Sequence, residues 1–226
     1  MTDRLNIGVL VSGSGSNLQA IMDGCTNDTI PGRVTVVVSN KDGVFALERA
    51  RNAGLPAVVI NHDRYGGREY FEKALAEVLE QHGVQLICLA GFMRILSPWF
   101  IRYFSGRILN IHPALLPAFP GLHVQKRALE MGVRFSGATV HFVDDGVDTG
   151  PIVIQAVVPI LPDDDVDTLS ARILVQEHRI YPLAVRWFAQ KRLRLVNGKV
   201  QLDAGLEHER EMTLAADKAW IHPPAS

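Results

Sequence analysis

The chain has 226 residues, 47% hydrophobic and 21% charged, with a formal net charge of −1. Length and composition suit one large globular domain or one and a half, and the near-neutral balance disfavours nucleic acid or an anionic membrane as the main partner. No apolar run approaches membrane-spanning length, no secretory h-region follows the start, and Cys25 and Cys88 lie far apart without a C-x-x-C pair, which fits a reduced cytoplasmic setting.

In chain order, LNIGVLVS (5–12) is a strand candidate, followed by a Gly/Ser loop and a helix from about Asn17. RVTVVVS (33–39) predicts a second strand, VFALERARNAG (44–54) a helix stopped by Gly54, and PAVVI (56–60) a third strand. REYFEKALAEVLEQHG (68–83) predicts a helix with Phe71, Leu75, Val78 and Leu79 on one face and Gly83 as its stop. VQLICLAGF (84–92) is a nearly continuous apolar run, the pattern of a strand covered on both faces. A short helix near 98–104 and the strand RILNI (107–111) complete a strand–helix alternation, which implies an α/β fold with a doubly wound parallel sheet.

The second half changes character. VQKRALEMG (124–132) predicts a helix, and SGATVHFV (136–143) and PIVIQAVVPI (151–160) predict two strands around the loop DDGVDTG. A long helix is expected from about Asp165 to Gln190, with Asp163, Asp164 and Asp165 capping its start and favouring its dipole, and with a kink at Pro182. RLRLV-NG-KVQL (192–202) reads as a two-residue Asn-Gly hairpin, and the tail from Asp203 as loosely held.

Four stretches carry residues suited to chemistry. VSGSGSNLQAI (11–21) follows a strand and opens a helix, so Gly13 and Gly15 can bring the backbone against an anion at the helix N-terminus. It is not a dinucleotide fingerprint: the third glycine position holds Leu18, and the second strand ends in Ser39 and Asn40 with no ribose-binding acid. Gly15, Ser16 and Asn17 are read as a site for one phosphate; a plain capped turn is the alternative. In NIHPALLPAFPGLH (110–123), Asn110 and His112 sit two apart at a strand end, hence on one face, and three prolines, Pro113, Pro117 and Pro120, stiffen the loop behind them. An amide can donate to a developing oxyanion and a histidine can move a proton near neutral pH. The alternative is a structural histidine on a turn.

In HFVDDGVDTGPI (141–152), Asp148 is placed to aim inward and orient an imidazole, whereas Asp145 reads as a solvated turn. Calcium-loop spacing is absent, and the eight histidines show no H-E-x-x-H or Cys/His ligand spacing, so no metal is expected. Finally, Glu177 falls on the apolar stripe Leu169, Ile173, Ile180, Ala184, Trp187 of the long helix. A carboxylate there needs a buried ion-pair partner or a ligand amine or hydroxyl.

Together SGSGSNLQAI, LAGFMRIL, LNIHPALLPAFPGLH and GATVHFVDDGVDTGPIV resemble the folate-dependent glycinamide ribonucleotide formyltransferases, in the same order, from about residue 5 to 190. The resemblance implies a Rossmann-like formyltransferase fold. It further implies a formyltransferase domain over 1–190, with a phosphate-binding half (1–105) and a catalytic, folate-binding half (106–190), and a hairpin and tail over 191–226. It implies formyl transfer from 10-formyltetrahydrofolate as co-substrate to the amine of glycinamide ribonucleotide, with no metal and with monomer and homodimer both open. By position, Asn110, His112 and Asp148 match the catalytic trio, and Gly15, Ser16 and Asn17 match the phosphate loop. Glu177 matches the acid that contacts the ribonucleotide and Arg68 a folate contact. Met93, Arg94, Ile95 and Leu96 match the segment holding the pterin by its backbone. The loop from Val143 to Asp148, with Asp144, matches the one that closes over the pterin. The resemblance implies a protonated His112, kept cationic by Asp148. One departure is apolar Leu174, one turn before Glu177, where some members carry a polar residue. A 10-formyltetrahydrofolate hydrolase is the nearest alternative; it would carry an extra N-terminal regulatory domain, for which the first strand near residue 5 leaves no room. A formyltransferase acting on initiator tRNA would want a basic C-terminal domain that the residues after 190 do not supply. A nucleotide-binding module or dehydrogenase built on the Gly loop alone is disfavoured by the missing glycine and acid.

Overall fold

In the computed structural model, which describes residues 4–203 and 220–222, the chain divides between Asn110 and Ile111 into two compact units. The first contains β1 (Leu5–Val11), α1 (Ser16–Thr26), β2 (Gly32–Ser39), α2 (Phe45–Asn52), β3 (Ala57–Val59), α3 (Arg68–Gln81), β4 (Leu86–Leu89) and α4 (Pro98–Tyr103). The strand β5 (Ile108–His112) crosses the division, with Asn110 the last residue of the first unit. The strand order β3-β2-β1-β4-β5 is parallel throughout. The sheet therefore reverses direction of growth between β1 and β4, and in such sheets the crevice beyond the carboxyl ends at that point takes the ligand.

The hydrophobic pattern explains the layers. Ile7, Val9, Leu10 and Val11 of β1 are wholly buried, as are Leu86, Ile87 and Cys88 of β4, so both central strands are covered on two faces. Leu18 and Ile21 of α1 and Phe71, Leu75 and Leu79 of α3 supply the covering faces. Each fully buried side chain of this size contributes about 1.5–3 kcal/mol relative to exposure. Two expectations shift. The strand anticipated over 84–92 is regular only at Leu86–Leu89, because the chain turns out of the sheet at Gly91. On α3, Val78 is only half-buried, and Glu72 occupies the buried face instead.

The second unit holds α5 (Val124–Glu130), β6 (Phe135–Phe142), β7 (Ile152–Pro159), α6 (Val166–Ala189), β8 (Leu193–Val196), β9 (Lys199–Leu202) and β10 (Trp220–His222). β6 and β7 pair antiparallel, with Thr139 opposite Gln155, and α6 packs across both. Leu169, Ile173, Ile180, Ala184 and Trp187 all face this core, as their spacing requires. Of the three aspartates before α6 only Asp165 caps it, in a reciprocal box with Thr168. Asp164 instead grips Arg172. Pro182 does not end α6, which runs on to Ala189. Asn197 and Gly198 take positive φ in the β8–β9 hairpin, the backbone that a two-residue turn of this kind demands.

The tail expected to be loosely held lies mostly outside the described residues. Trp220–His222, however, form β10, antiparallel to Gln155–Val157 of β7. β6 occupies one side of β7, and the other would be a row of unpaired backbone groups that a further strand satisfies.

Candidate active site

The carboxyl ends of the first unit's strands are level. Val11 pairs with Ser39, Leu10 with Leu89, and Leu89 with Asn110. The Gly/Ser loop leaves β1 at this edge. Gly15, at φ +73, caps α1, and a Cβ there would stand 2.6 Å from the Ala46 Cβ. Only glycine fits, because both the left-handed backbone and the close approach of α2 exclude a side chain. Gly13 has open space around it and no positive φ, so the close-approach argument applies to Gly15 alone. Ser16 opens α1 half-buried and Asn17 is buried behind it. The first-turn amides of α1 have no carbonyl within the helix, and no acidic residue stands in that turn to compete with an anion.

Three groups hold this loop. Arg49 donates from Nε to the Ser14 carbonyl at 2.9 Å while lying over the Phe45 ring. The Ala46 amide donates to the Gly13 carbonyl at 3.1 Å. The Ser12 hydroxyl donates to Asn40 Oδ1 and accepts from the Met93 amide at 2.9 Å. Asn40 thus stands where a dinucleotide site would keep its acid, and it braces the loop rather than a ribose. Ser12 also brings the loop together with the segment after β4.

That segment presents backbone. The side chains of Met93 and Ile95 are 63% and 62% exposed, while Leu96 is buried and Arg94 lies over the Phe71 ring. Arg68 Nε and Nη2 donate to the Ile95 carbonyl at 3.0 and 2.6 Å. Behind Arg68, Glu72 is buried and accepts from the Ser97 amide at 2.7 Å and from the Ser97 hydroxyl. Ser97 in turn caps α4 through the Phe100 amide.

In the second unit His112 is buried, and both of its ring nitrogens meet protein acceptors. Nε2 lies 2.8 Å from the Phe119 carbonyl and Nδ1 3.3 Å from Asp148 Oδ2. Asp148 sits at φ +57, accepts from the Gly121 amide at 2.8 Å, and turns Oδ1 to His141 Nε2 at 3.6 Å. The carboxylate therefore bridges two imidazoles. The loop between is held by more than its prolines: Thr139 Oγ1 donates to the Ala114 carbonyl at 2.6 Å and accepts from the Leu116 amide at 3.1 Å, and Gln155 donates to the Leu116 carbonyl.

The electrostatics correct one expectation. Burial pushes the His112 pKa below the ordinary 6.5, with His141 and the Arg127 cation pushing the same way; the Phe119 carbonyl and Asp148 oppose them without prevailing. The net push is thus against the imidazolium that Asp148 favours, while the carbonyl at Nε2 fixes one ring proton toward Phe119. Burial also raises Asp148, but His141, the Gly121 amide and His112 together bring its pKa below 3.8, so it is ionised. A proton arriving on Nδ1 of His112 would meet that carboxylate directly.

Asp144 does not face outward as a free contact. Its Oδ1 accepts from the Gly146 amide at 3.1 Å and Thr149 Oγ1 at 2.7 Å, which folds the loop on itself; Asp145 is exposed. Glu177 is buried on α6, beside buried Gln176. Among the described residues no cluster of three potential metal-ligating side chains forms, and no helix is long and apolar enough to cross a membrane.

Three participants escaped sequence reasoning. Glu72 carries the same signal that singled out Glu177, a carboxylate on an apolar helical stripe (Phe71, Leu75, Ala76, Leu79). His141 lay in the stretch that drew attention to Asp148, and it shares a strand face with Thr139 by alternation. Arg127, whose guanidinium lies against the Phe119–Gly121 turn, gave no signal, because its target is main chain.

Known proteins resemble this chain. The chain is 47% identical over 199 residues to the phosphoribosylglycinamide formyltransferase of Escherichia coli (strain K12), covering 88% of this chain and 94% of that one. It is 55% identical over 185 residues to the trifunctional purine biosynthetic protein adenosine-3 of Drosophila melanogaster, covering 80% of this chain but only 14% of that much longer protein. The crystal structure of glycinamide ribonucleotide transformylase 1 from Symbiobacterium toebii superposes with a TM-score of 0.87 at 54% identity, covering 88% of this chain and 94% of that one. The formyl transferase family profile matches residues 5–185, and a match of that extent, over a sheet and loops built as described, means that this chain belongs to the formyl transferase family.

Proposed function

We propose that this enzyme transfers the formyl group of 10-formyltetrahydrofolate to the amine of glycinamide ribonucleotide, giving formylglycinamide ribonucleotide and tetrahydrofolate in cytoplasmic purine synthesis. The observation that carries the reading is the His112–Asp148 pair, with His112 two residues beyond Asn110 on β5. Amide, imidazole and ionised carboxylate are what acyl transfer to an amine needs. The anion-suited start of α1 supports a phosphorylated acceptor.

The amine attacks the formyl carbon, and the tetrahedral oxyanion accepts a hydrogen bond from Asn110. His112 takes the proton that the attacking nitrogen sheds, and Asp148 stabilises the imidazolium. The proton then passes to N10 of the folate as the carbon–N10 bond breaks. Gly15, Ser16 and Asn17 hold the phosphate and Glu177 contacts the glycinamide ribonucleotide. The backbone of Met93, Arg94, Ile95 and Leu96 receives the pterin, with Arg68 and the Asp144 loop as further folate contacts. The residues up to about 105 thus carry the phosphate loop, and those from 106 to 190 the reacting groups.

A formyl balance tests this. With both substrates, tetrahydrofolate and formylated product should form one for one, and omission of the ribonucleotide should stop folate release. Formate released equally without the acceptor would make the protein a formyltetrahydrofolate hydrolase instead. His112→Ala and Asp148→Asn should each lower kcat by about 10²–10⁴-fold with the fold retained; a variant with near-normal turnover removes that residue from the mechanism.

A further inference from the structure

Both partners of the His112–Asp148 pair take a bond from one turn. The Phe119 carbonyl receives His112 Nε2, and the Gly121 amide donates to Asp148. That turn has an unfavourable backbone, since Phe119, which is not glycine, sits at φ +54. A residue with a β-carbon is strained in the left-handed region, so something must hold it there. Arg127, on α5, does so twice. Its Nη1 donates to the Pro120 carbonyl at 2.6 Å, and its guanidinium plane lies 5.6 Å from the Phe119 ring centroid. The contacted carbonyl belongs to the residue between the two that bond the pair.

We propose that Arg127 is a positioning residue: by clamping Pro120 and Phe119 it fixes the turn that orients His112 and Asp148, and it places a permanent positive charge near the imidazole. The proposal rests on the formyl-transfer reading only for its kinetic part. The charged and titratable groups that bear on His112 are Asp148, His141 and Arg127 itself; the first favours the imidazolium and the other two oppose it. The guanidinium suits the task because it can donate in its plane while stacking on a ring face, which an ammonium does less well.

The experiment compares Arg127→Gln and Arg127→Lys with the parent enzyme. Each is assayed for kcat and both KM values across pH, and ¹⁵N-histidine NMR follows the His112 ring through its titration. Arg127→Gln should lower kcat about 10-fold while leaving KM within about 2-fold, the pattern of a misplaced reacting group and not of lost binding. Its His112 titration should move to higher pH, since an opposing charge is gone. Arg127→Lys keeps the charge and one donor, so the titration should stay near the parent's and kcat should recover in part. A glutamine variant with the parent's kcat and the parent's His112 titration would overturn the proposal, as would a fall in kcat explained wholly by loss of folded protein in thermal melts. The NMR titration needs no turnover. Failure of the formyl-transfer reading would appear as no ribonucleotide-dependent activity in the parent; failure of this proposal would appear as an unmoved imidazole in the variant.

Discussion

Replacing Glu72 by alanine should be strongly damaging although it lies outside the reacting groups. The side chain is 1% exposed and accepts from both the amide and the hydroxyl of Ser97, with Arg68 Nε 3.6 Å from the same carboxylate. Each hydrogen bond to a charged acceptor is worth about 1.5–3 kcal/mol, and the alanine variant leaves two donors behind with an emptied volume around them. Part of this is offset, because the carboxylate no longer has to be desolvated. Removing one partner of such a buried network typically costs about 3–5 kcal/mol net. For a chain of this size each kcal/mol moves Tm by about 2–4 °C, so the midpoint should fall by roughly 6–20 °C in a thermal unfolding scan followed by circular dichroism. Glu72→Gln keeps an acceptor for the Ser97 amide but replaces the oxygen that accepts from the Ser97 hydroxyl by a donor, facing an oxygen that already accepts from the Phe100 amide, and should cost about 1–2 kcal/mol. An alanine variant melting within 2 °C of the parent, or a glutamine variant as damaged as the alanine one, would refute the reasoning that Glu72 is held by its Ser97 bonds.

Gly15→Ala forces a β-carbon into the left-handed region and against Ala46, so it should destabilise the fold by about 1–3 kcal/mol and weaken binding of the phosphorylated substrate, read as a raised KM for the ribonucleotide; an unchanged melt and KM would mean that the loop is not shaped as described. Asp164→Asn removes a two-point grip on Arg172 at 2.6 and 2.8 Å together with the bond from the Leu161 amide, so it should lower Tm at neutral pH. Because the Arg172 guanidinium holds the Asp164 pKa well below the usual 3.8, folded Asp164 gives up its proton more readily than the unfolded chain does. Its stabilisation is therefore full above 3.8 and is lost as pH falls through the lower folded value, so the gap between the two proteins should narrow only in acid below 3.8. A gap that closes between pH 7 and 5 would place the stabilisation elsewhere.

Much of this was legible because it is written in periodicity and turn chemistry. The apolar run of β1, the glycines after it and the helix that follows predict a strand, a glycine loop and a helix, and all three lie where the pattern puts them. The N-x-H spacing places Asn110 and His112 on one strand for the same reason. What the pattern does not encode is the balance of opposing terms at one atom. Asp148 does face His112, yet burial outweighs the attraction and pushes the imidazole's pKa down. Side chains whose partners are main chain are also invisible to spacing, as with Arg127 on Pro120, Arg68 on Ile95, and Asp144 folded onto its own loop. β10 went unread because a three-residue strand has no periodicity of its own; its place is set by the open side of β7.

The strip from Met93 to Leu96 inverts the usual relation between a residue's identity and its importance. Its two outward side chains are solvent-facing, while its amide and carbonyl are anchored from behind by Ser12 and Arg68. A mutational scan would therefore find positions 93 and 95 permissive and positions 12 and 68 intolerant. The surface that would meet the pterin could change its letters freely, and the information that shapes it would be stored one layer deeper.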